Sequence, residues 1–441
     1  MSMTRSPSAV VRVLPLAAVN FVALGALAVP SVAAIPVAVD RFTEGIGRAD
    51  ALAHVLAWGA AVAVVSNPLF GYLSDRTRTR WGSRRPWMLF GALLSVAAAV
   101  SVAVAPSLVA LTVGWAIMQA GANAVLAAVA ALLSDTVPDE RRAAASGLFS
   151  AAAFLGTVPG LVLASLFPGQ LGIVVMTMAV VALAVVAVCC ALVRESPDGP
   201  ARGAAAAGAP DAVPGDTARS ALLPFAAVWA QRLLQGLAFA LVTSFTLYLV
   251  ADRMLPAGAA TTGATPITSV STVVGGGAIV VGALIVARVG DRWRLTGFLL
   301  LGGAGLAVAA TVRAFAAEPA ALWVSSAVGG LSFGLFVAAN FAAALKLTPA
   351  GRGGRYLGAL NVAETIPQLV APFAAASLLA WGEDAALGAG GGDTALGVIP
   401  DGYAAIYLVA AVLSLCALTL VRLVGRRLRD AEREAPRRQR A

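Results

Sequence analysis

Long apolar runs separated by short polar segments make up nearly the whole chain. Twelve runs follow one another, each of about 20 residues or more, the length that an α-helix needs to cross the hydrocarbon core of a bilayer. None shows the alternation of apolar and polar residues that a membrane β-strand requires. The pattern predicts an all-α membrane protein with twelve transmembrane helices, over approximately 14–37, 51–73, 86–105, 108–133, 144–166, 170–193, 221–250, 266–287, 296–314, 321–345, 356–380 and 404–424.

The composition agrees with a bilayer as the surrounding medium. Of 441 residues, 59% are hydrophobic and 12% are charged, whereas soluble domains carry about 25% charged residues. The three cysteines, Cys189, Cys190 and Cys416, lie inside apolar runs, so neither a disulfide nor a metal site is expected. The glycine run 275–277 lacks the Lys and Ser or Thr of a phosphate-binding loop, and no cofactor is predicted.

Arginine and lysine are distributed unevenly between the predicted loops. If the N-terminus is cytoplasmic, 26 of the 31 basic residues fall on the cytoplasmic side, where membrane proteins hold their excess of positive charge. The basic tail, 425–441, can then meet anionic lipid headgroups, so the net charge of +9 does not indicate nucleic-acid binding. The sequence predicts a multi-pass protein of the cytoplasmic membrane with both termini in the cytoplasm.

A break in the apolar pattern divides the chain into two halves. Residues 194–219 are rich in Pro, Gly and Ala and show no apolar periodicity, which is typical of a disordered cytoplasmic linker. Six predicted helices precede it, within 1–193, and six follow it, within 220–424. The stretch 138–141 resembles 349–352 at an offset of 211 residues. Duplicated halves of this kind are common in transporters that bind a solute between them.

The polar segment between the second and third predicted helices carries glycines and charges in a fixed order. Glycine permits close approach of two helices, an aspartate can attract a helix N-terminus, and arginines hold a loop at the cytoplasmic surface. A cytoplasmic loop needs only the arginines, so the order Gly-x-x-x-Asp-Arg followed by Gly-x-Arg-Arg indicates a further role. The residues in this order are Gly71, Asp75, Arg76, Gly82, Arg84 and Arg85.

This order resembles the signature of the major facilitator superfamily. The insert before Gly82 and the Pro-Trp pair 86–87 are similar to the sucrose–proton symporters and the related glycoside–pentoside–hexuronide symporters. Asp135 and Arg141, after the fourth helix, and the run 360–372, in the eleventh, match further motifs of that branch. The resemblance implies two pseudo-symmetric six-helix bundles, transport by alternating access, and a gate formed by the motif residues at the cytoplasmic face.

Three departures from the family pattern limit what the resemblance implies. Ser83 stands where those symporters often have an arginine, and Ala287 stands where the second half would match Asp75. Only the first half is therefore expected to keep the aspartate latch of the gate. In melibiose-type carriers, acidic residues of the second and fourth helices bind the coupling sodium. These helices hold no carboxylate here, which argues against sodium coupling.

Only two charged residues fall within predicted helix interiors. Arg232 lies in the seventh helix and Glu364 in the eleventh, about 12–15 Å from the cytoplasmic helix ends. A lone charge in hydrocarbon costs on the order of 3 kcal/mol, so each should face a cavity or a partner. Glu364 is predicted to carry the coupling proton, with Arg232 as the charge that switches it or as a ligand for an anionic or hydroxylated substrate. A static ion pair between the two helices is the alternative.

Uncharged amides at similar depth predict a polar cavity for a small-molecule substrate. Gln235 is one turn from Arg232 and Gln368 is one turn from Glu364, so each pair shares a helix face. An interhelical hydrogen bond explains each amide equally well. The amides assigned to the cavity are Asn20, Gln119, Asn123, Gln235, Asn340, Asn361 and Gln368.

The sequence favours a secondary transporter over other membrane proteins. An enzyme would need clustered His, Asp or Ser–His groups, whereas the chain has one histidine, His54, at a helix end and one deep carboxylate. Without a nucleotide-binding motif, transport must be driven by a gradient, and coupling to protons is expected. The segment 71–87 favours uptake of a sugar-like or glycoside-like solute; proton-driven efflux of a small organic molecule or natural product is the alternative.

Overall fold

The computed structural model confirms the prediction of an all-α protein. It describes residues 9–43, 47–136, 142–193, 195, 216–289, 294–347, 353–388 and 402–422. Within these ranges the regular structure is entirely helical, without a β-strand. Eleven of the helices in the described ranges are long and apolar enough to cross a membrane, and a twelfth has a shorter apolar part, Ala152–Leu166.

Twelve helical segments, α1 to α12 in chain order, match the twelve predicted runs within the described residues. Their ends differ from the prediction by a few residues at most positions, and α11 continues well past its predicted end at 380. The bounds are α1 Ala9–Val29 with its continuations Pro30–Ala34 and Ile35–Val39, α2 Gly47–Arg76, α3 Arg85–Ala103, α4 Leu108–Thr136, α5 Arg142–Leu166, α6 Leu171–Leu192, α7 Asp216–Thr243 with Thr246–Met254, α8 Thr265–Val289, α9 Leu295–Ala314, α10 Pro319–Leu347, α11 Gly353–Gly388 and α12 Gly402–Thr419.

Two helices depart from the regular geometry that their apolar runs predict. In α1 the turn Pro30–Ala34 is π-helical, and the amide of Ile35 donates to the carbonyl of Pro30, five residues back. In α7 the helix stops at Thr243 and restarts at Thr246. The predicted uninterrupted helix over 221–250 is therefore wrong on this point. Nothing in the sequence indicated the break, because no Gly or Pro lies near it.

The predicted linker, 194–219, lies mostly outside the described residues, and two of its parts need correction. Helix α7 begins at Asp216, so the last four residues of the predicted linker are helical. Glu195, which was assigned to the linker, binds the N-terminal end of α3. The prediction that 194–219 separates two halves stays a prediction.

The helices fall into two compact units. The first contains α1–α6 together with residues 255–273, and the second contains α7, the part of α8 from Val274 onward, and α9–α12. Residues 255–273 join the first unit because Thr261 donates a hydrogen bond to Asp40, at the end of α1. The sequence had assigned these residues to the second half.

Each unit has its own apolar core. In the first unit Leu16 of α1, Met88 of α3 and Val129 of α4 are fully buried together. In the second unit, Val228 of α7 and Ala339 of α10 are fully buried, and Phe298 of α9 nearly so. Alanines also contribute to both cores, among them Ala128 in the first unit and Ala343 in the second, as expected for helices that pack closely in a bilayer.

Gly156 marks the closest approach of two helices in the first unit. A Cβ atom at Gly156 of α5 would overlap the carbonyl oxygen of Phe21 in α1, which is backbone and cannot rotate away. By contrast, a Cβ atom at Gly276 of α8 would have no heavy atom within 4 Å. The packing of α1 on α5 therefore depends on a glycine at 156.

We expect Gly156→Ala to destabilise the protein by about 1–3 kcal/mol because the two backbones must separate. The matched control, Gly276→Ala, should be neutral or stabilising, since alanine favours the helix by up to about 1 kcal/mol. Thermal unfolding of the detergent-solubilised variants, followed by tryptophan fluorescence, measures both midpoints. Equal midpoints for the two variants would contradict the packing described here.

Candidate functional site

Arg232 and Glu364 form an ion pair between α7 and α11. The Nη2 atom of Arg232 lies 2.7 Å from Oε2 of Glu364. The two partners differ in exposure: the side chain of Arg232 is 9% exposed and that of Glu364 is 60% exposed. The guanidinium is thus held inside the second unit, while the carboxylate remains open to exchange a proton or to contact a solute.

A buried amide completes the surroundings of Arg232. The Oδ1 atom of Asn340, in α10, lies 3.5 Å from Nη1 of Arg232. The Nδ2 atom of Asn340 in turn donates to the carbonyl oxygen of Val228, at 3.0 Å, one turn before Arg232 in α7. The Nε atom of Arg232 is buried without a hydrogen-bond partner among the described residues. Asn340 therefore positions the guanidinium, and Glu364 supplies its counter-charge.

Gln231 and Gln235, on either side of Arg232 in sequence, bind α12. Gln235 accepts a hydrogen bond from Oγ of Ser414 at 2.7 Å, and its Nε2 atom donates to the Ser414 carbonyl at 3.3 Å. Ser414 also lies 2.9 Å from the carbonyl oxygen of Gly303 in α9. Gln231 donates to the carbonyl of Ala417 at 3.2 Å. These bonds fix α7 against α9 and α12.

A second set of amides lies in the first unit, between α2 and α4. Asn67 donates to Oδ1 of Asn123 at 3.2 Å. The Nδ2 atom of Asn123 donates to the carbonyl of Gln119 at 2.9 Å, one turn earlier in α4. Asn123 is buried, Gln119 is half-buried and Asn67 is exposed. The sequence grouped Gln119 with Asn123 but missed Asn67, which precedes Pro68 and was counted as part of an apolar run.

Three of the amides that the sequence assigned to a substrate cavity are hydrogen-bonded to protein groups inside the helix bundles. Asn20 is buried and donates to the carbonyl of Phe149 at 2.8 Å, across α1 and α5. Gln235 and Asn340 are buried and bonded as described above. In this conformation these three amides hold neighbouring helices together. A solute would have to displace an internal hydrogen bond to reach any of them. Their assignment to a solute cavity stays a prediction.

The remaining predicted cavity residues have different surroundings. Gln368 is exposed on α11, one turn beyond Glu364, and Gln119 is half-buried on α4. The side chain of Asn361 lies outside the described residues. Within the second unit, Glu364 and Gln368 are therefore exposed candidates for contact with a solute. Within the first unit, Asn67 is exposed and Gln119 is half-buried, whereas Asn123 is buried and bonded to both.

Arg84 is the centre of the motif between α2 and α3. Its Nη1 atom lies 2.5 Å from Oδ1 of Asp75 and 2.7 Å from Oγ of Ser74, both at the end of α2. Its Nε atom lies 3.3 Å from Oδ2 of Asp135, at the end of α4. The guanidinium is buried, and Arg84 directly precedes α3. One arginine thus joins the ends of three helices, which explains why the motif needs both aspartates.

The other motif residues contribute less to this network. The guanidinium of Arg76 lies over the ring of Tyr72, 4.3 Å from its centroid. A Cβ atom on Gly71 would meet no heavy atom within 4 Å, so the prediction that Gly71 permits close helix approach is not supported. Arg85 offers its backbone amide to Glu195. Arg141 lies outside the described residues.

Glu195 caps α3 from a distant part of the chain. Its carboxylate accepts hydrogen bonds from the backbone amides of Ser83 at 2.6 Å, Arg84 at 3.1 Å and Arg85 at 2.9 Å. No side chain next to α3 caps it, so Glu195 supplies the negative charge that a helix N-terminus favours. Gly82, with φ of +104°, turns the chain there, and a Cβ atom on it would lie 2.5 Å from the carboxylate. Sequence reasoning missed Glu195 because it borders the Pro- and Gly-rich run.

The family is shown by the sequence over most of the chain. The sequence model of the Major Facilitator Superfamily matches residues 16–372. The chain therefore belongs to the major facilitator superfamily: it is a multi-pass membrane transporter and not an enzyme.

Two curated relatives are similar over short segments. The inner membrane symporter YicJ of Escherichia coli (strain K12) is 61% identical over 33 residues, which cover 8% of this chain and 7% of the relative. The uncharacterized symporter sll1374 of Synechocystis sp. (strain ATCC 27184 / PCC 6803 / Kazusa) is 50% identical over 50 residues, which cover 11% of this chain and 9% of the relative. In both cases the match spans less than a tenth of the relative's length.

Solved structures of transporters share the fold. A peptide transporter has a TM-score of 0.70 at 17% identity, with 97% of this chain and 96% of that chain covered. The nucleoside transporter NupG has a TM-score of 0.69 at 12% identity, with 94% and 99% covered. A D-xylose–proton symporter has a TM-score of 0.66 at 12% identity, with 92% and 96% covered. At these identities the likeness concerns the fold alone.

The cap on α3 leads to a stability prediction. Glu195→Ala should destabilise the protein by about 1–2 kcal/mol because three backbone amides lose their acceptor and the helix end loses its charge. Glu195→Gln keeps an acceptor oxygen and should lose less, while Glu318→Gln, at an exposed site, makes the same charge change away from α3. Thermal unfolding midpoints in detergent measure all three. A midpoint for Glu195→Ala equal to that of Glu318→Gln would show that the Glu195 cap does not stabilise the protein.

Proposed function

We propose that this transporter is a symporter that couples proton movement to the uptake of a small, hydroxyl-rich solute, such as a sugar or glycoside, across the cytoplasmic membrane. The observation that carries the proposal is the ion pair between the buried Arg232 and the exposed Glu364. A carboxylate in this position can bind a proton when the arginine moves away and release it when the arginine returns, because a nearby cation favours the charged form. The naming of both curated relatives as symporters supports coupled transport.

The exposed and half-buried amides support a neutral, hydroxylated solute. The side chains of Asn67, Gln119 and Gln368 each offer a donor and an acceptor without a net charge. Hydroxyl groups of a sugar both donate and accept, so amides match them better than a second charged group would. The fold is shared with a D-xylose–proton symporter, although the identity of 12% lends no residue-level support.

The proposal also includes the orientation of the chain in the membrane and a role for the Arg84 network. Both termini are cytoplasmic, as the distribution of arginine and lysine favours. The network of Arg84 with Asp75 and Asp135 stabilises one closed state of the cytoplasmic gate by holding three helix ends together. Its opening during alternating access requires at least one of these two ion pairs to break.

Glu364→Gln keeps the shape of the side chain and imitates its protonated form. With one proton per solute, a gradient of about one pH unit supports about tenfold accumulation, since 1.4 kcal/mol corresponds to a factor of ten. We expect the wild type to reach this accumulation in proteoliposomes and Glu364→Gln to reach none, while counterflow persists because it requires no net proton movement. A panel of labelled glycosides serves as the substrate, and Glu318→Gln is the control for the loss of one carboxylate.

Each component of the proposal can fail separately in this experiment. Uphill accumulation by Glu364→Gln with unchanged pH dependence would show that coupling lies elsewhere. Absence of counterflow for every glycoside in the wild type would exclude the proposed solute class. Net extrusion of a solute against its gradient, driven by proton entry, would establish the efflux alternative.

A further inference from the structure

A second buried arginine, Arg313, lies away from the ion pair and has no role in the proposed coupling. It is the last but one residue of α9, and 3% of its surface is exposed. The predicted helix over 296–314 ends one residue after Arg313, so the sequence does not place this charge in a helix interior. Within the described chain, Arg313 is paired with no carboxylate. Burying a guanidinium among neutral groups is expensive in a membrane protein, so the contacts that it makes need an explanation.

The contacts of Arg313 converge on the break in α7. Its Nη2 atom donates to Oγ1 of Thr246 at 2.8 Å, and its Nη1 atom donates to Oγ of Ser326, in α10, at 3.2 Å. The guanidinium also lies over the ring of Tyr407, in α12, 5.5 Å from its centroid. The C-terminal end of α9 and the face of an aromatic ring both favour a cation there.

Thr246 carries the contact across the break. Its hydroxyl accepts a hydrogen bond from Arg313. The same hydroxyl donates at 2.9 Å to the carbonyl oxygen of Thr243, which is the last residue of Asp216–Thr243, the inner segment of α7. Between them, Phe245 has φ of +53°, a conformation that is rare for a bulky residue and persists only where the surroundings impose it. The chain Arg313–Thr246–Thr243 joins the two segments of α7 at the point where the backbone hydrogen bonds of the helix stop.

The outer segment, Thr246–Met254, is attached to the same neighbours at its other end. The hydroxyl of Tyr403, in α12, lies 2.5 Å from Oδ2 of Asp252. Arg253 donates to the carbonyl oxygen of Ala314, next to Arg313, at 2.9 Å. The outer segment is therefore held by α9 at both ends and by α12 at its C-terminal end. The inner segment, Asp216–Thr243, carries Arg232 and is bound through different residues.

We propose that Arg313 is a positioning residue that holds the outer segment of α7 on α9 and α12, so that the inner segment can change direction at Thr243–Phe245 without carrying the outer segment with it. The planar guanidinium presents several N–H donors in a fixed geometry, so it can donate to Thr246 and Ser326 at once. The proposal concerns the division of α7 into two bodies and depends neither on the solute nor on the coupling ion.

Alkylation of buried cysteine reporters tests this proposal without a transport assay. Val250→Cys reports on the outer segment and Val228→Cys on the inner one; both valines are fully buried. The three native cysteines are replaced by alanine, and reaction with N-ethylmaleimide is timed on the full chain in detergent. Thr246→Val removes the acceptor for Arg313, whereas Thr246→Ser keeps the hydroxyl.

Thr246→Val should accelerate alkylation at position 250 by about tenfold and leave position 228 within about twofold, because only the outer segment opens more often. Thr246→Ser should behave as the wild type. Arg313→Leu should reproduce the effect of Thr246→Val, and combining the two should add little, since both remove one interaction. Equal acceleration at both reporters, or equal rates for Thr246→Val and Thr246→Ser, would overturn the proposal even if Arg313→Leu failed to fold.

Discussion

A guanidinium buried in an apolar helical bundle must find oxygen atoms to bind, and much of this structure is arranged around that constraint. Within the described chain, Arg84, Arg232 and Arg313 are buried arginines. Each binds side chains from at least two other helices or helix segments. Because an unsatisfied charge at this depth would cost several kcal/mol, these contacts specify which helices lie together.

The three arginines differ in what compensates their charge, and this difference separates their roles. Arg84 faces two carboxylates, Asp75 and Asp135, at the ends of two other helices. Arg232 faces one carboxylate that is itself exposed, so protonation of Glu364 changes the charge balance around the arginine. Arg313 faces hydroxyls and an aromatic ring, none of which changes charge, which suits a permanent attachment.

The sequence predicted the twelve helices and the polar residues at depth better than it predicted their partners. The helices follow from run length alone, and Arg232 and Glu364 were identified because isolated charges in apolar runs are few. The hydrogen bonds of Asn20, Gln235 and Asn340 inside the bundles could not be predicted, because an amide that binds a solute and one that binds a neighbouring carbonyl have the same sequence signal. The break in α7 was missed because Phe245 is not a helix-breaking residue. The residue that follows it, Thr246, accepts a hydrogen bond from Arg313, about 70 residues later in the chain, and a contact of this kind has no local sequence signal.

Solute-driven proton movement directly tests the coupling role of Arg232 and Glu364, because that role requires protons to cross the membrane with the solute. Wild-type protein is reconstituted into proteoliposomes that contain a pH-sensitive dye, without an imposed gradient. Addition of a transported glycoside should acidify the lumen, with an initial rate that saturates with the solute concentration. Entry of the labelled glycoside without any change in luminal pH would show that the protein does not couple solute uptake to proton movement.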